Sequence, residues 1–302
     1  MQLYSIETGR FKLDGGAMFG VVPKALWSKV HPADENNLCT WTMRCLLIQE
    51  AGKLILVDNG IGDKQDAKFF RHYYLHGDDS LDKSLAKHGF HRDDITDVLL
   101  THLHFDHCGG SIIRSGDKLI PAFKNATYWS HSRHWKWATE PNEREKASFL
   151  KENILPVQDS GQLKFVDQAA HSAATPGLPA GATWSGGSLD IISNVILPGL
   201  SVRVANGHTE AMILPQMEYK GRTLIFMADL LPSIGHIPLP WVMAYDMFPL
   251  TTLNEKKSFW QEAATGGYVL MLEHDPENEC CILQSTDRGV VRASATLRLE
   301  EL

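Results

Sequence analysis

The sequence predicts a globular α/β protein, and three observations lead to this prediction. Short apolar runs alternate with turn-forming Gly, Pro, Asn and Asp residues, which is typical of strands. A few other stretches carry apolar residues at helical spacing. The chain has 302 residues, of which 43% are hydrophobic and 22% are charged. It can therefore bury a sizeable core, and its composition is not that of a disordered or fibrous protein.

The predicted strands are apolar runs bounded by turn residues: 43–50, 53–58, 95–100, 200–205, 222–228 and 268–273. Helical spacing and capping residues predict helices over 80–90, 131–151 and 253–264. Residues 171–189 are rich in Gly, Pro, Ser and Ala and are expected to form a long surface loop.

The net charge and the cysteine content indicate which binding partners and which cellular compartment to expect. The chain has 29 Lys and Arg residues against 36 Asp and Glu, a net charge of −7, and its basic residues do not cluster, so nucleic acid and anionic membranes are not expected as partners. Five cysteines without a repeated spacing favour a reducing compartment. The sequence shows neither a signal-peptide pattern at its N-terminus nor an apolar run of about 18 residues, and a cytoplasmic location is expected.

The strongest chemical signal is the stretch from Thr101 to Gly110, THLHFDHCGG, directly after an apolar run. His102 and His104 are two residues apart, so an extended segment directs both imidazoles to the same side. Asp106 and His107 follow where the chain must turn. One short loop can thus provide ligands for two adjacent cations, and imidazole with carboxylate suits Zn, Mn, Fe or Co.

This H-x-H-x-D-H pattern after a strand resembles the hallmark of the metallo-β-lactamase superfamily. The resemblance implies further site residues at the ends of later strands, and the sequence has matching positions. They are His208 in Asn206-Gly207-His208-Thr209, Asp229 after LIFMA, and His274 after YVLMLE. Asp58, in the stretch Val-Asp-Asn-Gly, matches an aspartate that lies beneath the metal loop in this family.

The resemblance implies a fold and two metal sites. The fold is a four-layer αβ/βα sandwich formed by a single domain over 1–302, with segment 1–40 and loop 171–189 as decorations. One metal is expected to take His102, His104 and His208, and the other Asp106, His107 and His274. Asp229 would bridge the two, and Asp58 would orient one imidazole. Zinc is the expected metal, with manganese, iron and cobalt left open.

Two longer stretches resemble one branch of the superfamily. Residues 11–29, FKLDGGAMFGVVPKALWSK, and 229–250, DLLPSIGHIPLPWVMAYDMFPL, are similar to the quorum-quenching lactonases, the YtnP-like and N-acyl-homoserine-lactone hydrolases, with methyl parathion hydrolase as a near relative. In relatives of this kind the N-terminal segment serves a homodimer contact, and the resemblance implies the same here. Some of these lactonases place a pocket tyrosine three residues after the bridging aspartate, where this chain has Pro232.

The resemblance therefore implies a dinuclear metallo-hydrolase of a small neutral ester-like substrate, above all a lactone such as an N-acyl-homoserine lactone. A hydroxide shared by the metals would attack the carbonyl, with Asp106 as the catalytic acid–base. A phosphotriester hydrolase, a glyoxalase II-like thioester hydrolase and a non-catalytic metal-binding ligand sensor remain as alternatives. Four residues are expected to line the substrate pocket: Phe19, His236, Trp241 and Tyr245.

Overall fold

A computed structural model describes residues 1–169, 189–287 and 289–302, and all but the last residue of the predicted loop 171–189 lies outside them. Over these residues the structure has fifteen strands: β1 (Gln2–Asp14), β2 (Leu38–Glu50), β3 (Lys53–Val57), β4 (Asp97–Leu99), β5 (Ile112–Ser115), β6 (Lys118–Pro121), β7 (Thr127–Ser130), β8 (Leu163–Phe165), β9 (Asp190–Ile192), β10 (Leu200–Ala205), β11 (Met212–Tyr219), β12 (Arg222–Phe226), β13 (Val269–Met271), β14 (Cys280–Ser285) and β15 (Val291–Leu297).

The same described ranges contain nine α-helices, several of them a single turn: α1 (Gly15–Phe19), α2 (Lys24–Trp27), α3 (Ala67–Phe70), α4 (Leu81–Lys87), α5 (Phe105–Cys108), α6 (Ser132–Thr139), α7 (Lys151–Asp159), α8 (Val166–Ala169) and α9 (Pro249–Gly266). Within the described part of the chain, no helix is long and apolar enough to span a bilayer. The predicted helix over 131–151 is wrong in its second half, because the chain leaves the helical conformation before Pro141 and forms a loop up to Leu150.

The strands form layered sheets. One sheet has the strand order β1-β2-β3-β4-β7-β8, the next has the order β15-β14-β13-β12-β11-β10-β9, and β5 and β6 form a separate hairpin. Residues 2–14 of the predicted N-terminal decoration form β1, which pairs with β2 at the edge of the first sheet. That residues 1–302 form a single domain stays a prediction.

The alternation of side chains along β2 explains how the layers are held together. Leu46 and Ile48 face the second sheet and belong to the core between the sheets. Cys45 and Leu47 point to the opposite face, where they pack in a cluster with residues of α4 and α7. Helix α9 packs onto the second sheet. Helices therefore cover both outer faces, and the predicted four-layer sandwich is confirmed.

The two sheets are joined by hydrogen bonds between β2 and the segment that follows β13. The amide of Thr42 donates to the carbonyl of His274 at 3.2 Å, and the amide of Arg44 donates to that of Glu273 at 3.1 Å. The buried guanidinium of Arg44 donates to the carbonyls of Leu272 (2.6 Å) and Asp275 (3.1 Å). This strand-like contact fixes the segment after β13 against the first sheet.

Lys256 on α9 gives a testable dependence of stability on pH. Its buried ammonium donates to the carbonyls of Pro238 (3.1 Å) and Trp241 (2.9 Å), and burial lowers its pKa to about 7. In the unfolded chain a lysine has a pKa of about 10.4. Between these values the unfolded chain holds a proton that the folded chain lacks, so this group makes the free energy of unfolding rise with pH, by at most ~1.4 kcal/mol per pH unit.

Urea denaturation of the wild type and of Lys256→Met at pH 7 and pH 9 measures this contribution. We expect the wild type to gain stability relative to the variant between the two pH values. A free energy of unfolding of the wild type that, relative to that of the variant, stays constant or falls from pH 7 to pH 9 would contradict the assignment.

Candidate metal centre

The histidine-rich stretch lies where a buried strand of the first sheet ends. Strand β4 pairs in parallel with β3 and β7, so its carboxyl end opens at the edge of the sheet. After a bend at Thr101 the chain has no regular secondary structure from His102 to His104, and it then turns into α5, which begins at Phe105 and carries Asp106 and His107. All four side chains that could act as ligands are buried.

The glycines after this stretch serve close packing. A Cβ atom on Gly109 would lie 2.1 Å from the carbonyl oxygen of Ile61, and one on Gly110 would lie 2.2 Å from that of Asn59. The loop after β3, which carries Asp58, can approach the stretch Thr101–Gly110 this closely only because Gly109 and Gly110 have no side chain.

The second sheet brings three further residues to the same place. His208 lies in the turn between β10 and β11, and Asp229 follows β12 in a short 3₁₀ turn. His274 follows β13, which pairs in parallel with β12, so both strands end at the same edge. The structure thus brings together all seven residues predicted as metal ligands. They form two groups, called the metal groups below: the first includes Asp229, and the second faces it.

The first group consists of His102, His104, His208 and Asp229. Nδ1 of His104 lies 3.1 Å from Nε2 of His102 and 3.2 Å from Nε2 of His208. Oδ2 of Asp229 lies 3.1 Å from Nε2 of His208. The ligand-capable atoms of all four residues lie within 4.8 Å of one another. Three ring nitrogens and one carboxylate oxygen therefore converge on a single point.

The second group consists of Asp106, His107 and His274. Nε2 of His107 and Nε2 of His274 lie 3.2 Å apart, and Oδ2 of Asp106 is 3.8 Å from each. Oδ1 of Asp229 lies 3.1 Å from Nε2 of His274. Oδ2 of Asp229, which is close to His208, also lies 3.6 Å from Nε2 of His107. The carboxylate of Asp229 therefore lies between the two groups and is within 3.1 Å of a ring nitrogen in each, as a bridging carboxylate would be.

Hydrogen bonds on the far side of each ring determine where its proton lies. Asp246 accepts from Nδ1 of His208 at 2.8 Å, Glu145 from Nε2 of His104 at 2.9 Å, and the carbonyl of Thr42 from Nδ1 of His274 at 2.7 Å. Carboxylates and carbonyls only accept. Each of these rings therefore carries a proton on its outer nitrogen, and its inner nitrogen can bind a cation.

The other two rings are oriented through Asp58. This residue has a positive φ of 55° and accepts from the amide (2.8 Å) and the hydroxyl (2.6 Å) of Thr101. Because that hydroxyl donates to Asp58, its oxygen is free to accept from Nδ1 of His102 at 3.1 Å. Nδ1 of His107 lies 3.2 Å from Asp58 and 3.0 Å from Glu273. Asp58 thus contacts the ring of His107 directly and that of His102 through Thr101, and its predicted role, to orient one imidazole, stays a prediction.

These observations fit divalent cations. Bare ring nitrogens that face one another at 3.1–3.2 Å in a buried place repel each other unless a proton or a metal lies between them. Burial alone would lower the pKa of His208 and His274, but the charge of Asp229 outweighs it and raises these pKa values to about 10 and about 9. The space around Asp229 thus favours positive charge, and the nitrogen and oxygen donors that surround it suit zinc, manganese, iron or cobalt.

Three buried carboxylates of this centre were missed by the sequence analysis: Glu145, Asp246 and Glu273. Glu273 directly precedes His274, and Asp246 ends the unusual stretch PWVMAYD, so both positions had a signal in the sequence. Glu145 lies in the charged stretch EREKASFLK, where nothing distinguishes it from a surface glutamate.

A cavity of about 460 Å³ opens onto the metal groups. Its apolar wall is formed by Leu13, Met18, Phe105, Met243 and Met247. Polar lining comes from Tyr73, Tyr245, Arg144, Glu145 and Ser148, together with His104, Asp106, His208, Asp229 and His274. The guanidinium of Arg144 donates to the carbonyl of Ala244, which connects two loops at the mouth of the cavity.

Of the four predicted pocket residues, the structure places Tyr245 in this cavity and the other three behind its wall. Phe19 is fully buried and stacks on His236, with ring centroids 4.6 Å apart. Nε2 of His236 donates to the carbonyl of Met18 at 2.9 Å, and its Nδ1 bonds the hydroxyl of Ser233 at 2.8 Å. Trp241 packs edge-on against Phe19. Phe19, His236 and Trp241 thus support Met18, the residue of this segment that reaches the cavity.

Comparisons with known proteins agree with this architecture. A family model described as the metallo-beta-lactamase superfamily matches residues 44–264. An N-acyl homoserine lactonase of Bacillus thuringiensis is 27% identical over 165 residues, which cover 51% of this chain and 56% of that protein, and one of Bacillus cereus is 26% identical over the same length. The match therefore spans only about half the length of these curated relatives.

Solved structures resemble the chain over nearly its whole length. A probable metal-dependent hydrolase from Staphylococcus aureus has a TM-score of 0.80 and 27% identity, and the alignment covers 100% of this chain and 98% of the other. The dizinc quorum-quenching lactonase AidC has a TM-score of 0.71 and 19% identity, with 98% and 95% covered. At this lower identity the likeness concerns the fold.

Proposed function

Because this chain belongs to the metallo-beta-lactamase superfamily, we propose that it is a hydrolase that uses two divalent cations to cleave a small neutral ester-like substrate, with a lactone such as an N-acyl-homoserine lactone as its preferred class. The observation that carries the proposal is Asp229, whose carboxylate lines the cavity between the two histidine groups, within 3.1 Å of a ring nitrogen of each. The curated relatives named above, which are called N-acyl homoserine lactonases, support the choice of lactones.

The proposed ligands follow from the geometry of the two groups. His102, His104 and His208 would hold one cation, Asp106, His107 and His274 the other, and Asp229 both. Zinc is proposed, as in the dizinc neighbour, although the donor set also suits manganese, iron and cobalt. When bound, the cations supply Lewis-acid polarisation of the carbonyl and a more acidic water.

Proton transfer and substrate binding are assigned to residues that line the cavity. Asp106 lies in the lining beside both histidines of its group. We expect its carboxylate to accept a proton from the attacking water and to return it to the alcohol oxygen that leaves when the ester bond breaks. The apolar wall would hold an acyl chain. Among the described lining residues Arg144 is the one Lys or Arg, and its guanidinium already donates to Ala244, which favours a neutral substrate.

Tyr245 is proposed to donate a hydrogen bond to the substrate, in place of the tyrosine that Pro232 replaces. It lines the cavity beside Tyr73. Burial and the nearby charge of Asp106 raise the pKa of both phenols, that of Tyr73 to about 12, so both keep their proton at neutral pH. Tyr245 is chosen over Tyr73 because it directly precedes Asp246, which is hydrogen-bonded to His208 of the first metal group. The ring of Tyr73 instead packs against Phe105.

Tyr245→Phe is expected to lower kcat roughly 10-fold and to change KM little, because one hydrogen bond to the reacting group is lost while the aromatic ring is retained. Steady-state kinetics on the best substrate measure the effect. Tyr73→Phe is the matched control, since it removes the other phenol of the same cavity. A smaller effect for Tyr245→Phe than for Tyr73→Phe would contradict the assignment.

The proposed activity is tested by ring-opening of an N-acyl-homoserine lactone with purified, metal-loaded protein. We expect turnover well above the uncatalysed background. Absence of turnover with two metals bound per chain would contradict the lactone proposal, and phosphotriesters, thioesters and other lactones would then be tested in turn. Absence of turnover on all of these substrates would favour a metal-binding sensor.

A further inference from the structure

Helix α6 lies next to the loop that carries the first histidines, yet none of its residues belongs to either metal group. Its sequence, SRHWKWAT, is rich in aromatic side chains. His134 and Trp137 are three residues apart, which places them on the same side of the helix. Both make hydrogen bonds toward the first metal group, and the proposed mechanism uses neither of them.

His134 connects two chain segments through its ring. Its Nε2 accepts from the backbone amide of Leu103 at 2.8 Å, and its Nδ1 donates to the carbonyl of Glu210 at 2.6 Å. An amide N–H only donates and a carbonyl only accepts, so the partners define a neutral ring with its proton on Nδ1. The side chain is fully buried, and burial lowers its pKa to about 3, which agrees with a ring that stays neutral.

The two segments are the ones that carry the histidines of the first group. Leu103 lies between His102 and His104, and Glu210 lies two residues after His208. The first pair comes from the end of β4 in one sheet, and His208 comes from the β10–β11 turn in the other. The ring of His134 therefore spans the two loops and fixes their separation at the point where three ring nitrogens must converge.

Trp137 acts on the same group by a different route. Its indole N–H donates to Oε2 of Glu145 at 2.6 Å, while Oε1 of Glu145 accepts from Nε2 of His104 at 2.9 Å. Trp137 thus holds the carboxylate that sets the orientation of His104. Helix α6 thus contacts the first metal group in two ways. His134 bonds the backbone of both loops that carry its histidines, and Trp137 bonds Glu145, the hydrogen-bond partner of His104.

We propose that His134 is a positioning residue of the first metal group, which holds the His102–His104 loop and the His208 loop at the separation that a cation requires. The inference rests on the metal-binding function proposed above. A buried histidine that merely fills space would need neither of its two hydrogen bonds, and the ligand loops would not depend on it.

The first test uses the wild-type protein and does not depend on bound metal. Long-range ¹H–¹⁵N spectra of the imidazole rings, recorded on the metal-free and the Zn²⁺-loaded protein, report which nitrogen of His134 carries the proton. We expect the Nδ1–H form without titration between pH 5 and 8. A proton on Nε2, or a titration in this range, would overturn the proposal.

The second test compares metal affinities. His134→Phe keeps a ring but leaves the Leu103 amide and the Glu210 carbonyl unpaired, and chelator competition is expected to show at least one Zn²⁺ ion bound about 10-fold or more weakly. Trp135→Phe is the matched control on the same helix, because its indole donates to Gln158 and to neither ligand loop. We expect this control to bind both ions within about twofold of the wild type.

The outcomes separate this inference from the proposed function. A His134→Phe variant that binds both Zn²⁺ ions as tightly as the wild type would overturn the positioning role, even if the enzyme is a lactonase. A wild-type protein that binds no Zn²⁺ would contradict the proposed function, and the ring spectra of the metal-free protein would still decide whether His134 connects the loops. The same spectra decide the matter if His134→Phe does not fold.

Discussion

Asp229→Ala is expected to lower kcat/KM for the best ester substrate by ~10³-fold or more and to reduce the bound metal below two ions per chain. Oδ2 of Asp229 faces His208 and Oδ1 faces His274, each at 3.1 Å, so one substitution removes a ligand atom from both groups. The loss corresponds to the several kcal/mol that metal ions supply to the transition state, at about 1.4 kcal/mol for each tenfold in rate.

Metal analysis of the dialysed protein and kinetics at saturating Zn²⁺ measure the two effects separately. Asp117→Ala, which removes an exposed aspartate in the β5–β6 hairpin, is the control and is expected to leave both values unchanged. If Asp229→Ala retains two ions per chain and turns over at a rate near that of the wild type, the bridging role is refuted.

Asp106→Asn is expected to lower kcat roughly 10²-fold or more and to keep some metal. Asparagine has nearly the same shape and retains one oxygen toward His107 and His274, but it cannot accept the proton of the attacking water. The expected loss of rate therefore exceeds the loss of metal, which distinguishes a role in proton transfer from a role as ligand alone.

Kinetics and metal content measured on the same preparation test this prediction. Asp63→Asn, an exposed aspartate in the loop after β3, serves as the control. Near-native turnover by a fully metallated Asp106→Asn protein would show that another group transfers the proton.

The stretch from His102 to His107 indicated a metal site by its own residue pattern, whereas His208, Asp229 and His274 were predicted from the resemblance to the metallo-β-lactamase superfamily, which implies site residues at the ends of later strands. His102 follows the short β4, Asp229 follows β12 and His274 follows β13. Parallel strands that end at the same edge of a sheet, such as β12 and β13, bring the residues that follow them close together. A strand-end pattern depends on neighbouring residues in the chain. The strand ends are therefore visible in the sequence, but it was the resemblance that assigned these particular strand-end residues to one site.

The pocket was harder to predict because its wall depends on contacts between distant segments. Phe19 was expected in the pocket, but the segment after β1 folds so that Phe19 stacks on His236, more than two hundred residues away, and Met18 reaches the cavity instead. Glu145 was missed for a similar reason. It lies in a loop without periodicity, and its function comes from a contact with His104 that the sequence does not indicate.

The contributions of the two sheets to the proposed metal groups have a thermodynamic consequence. Each group combines ligands from loops of the first sheet, such as His102 and His107, with ligands from the second, such as His208 and His274. Bound cations would then act as removable cross-links between the sheets, and stability would become a function of free metal. Each tenfold rise in free Zn²⁺ above the dissociation constant of a site would add about 1.4 kcal/mol to the free energy of unfolding, so a chelator would weaken the whole fold together with the active site.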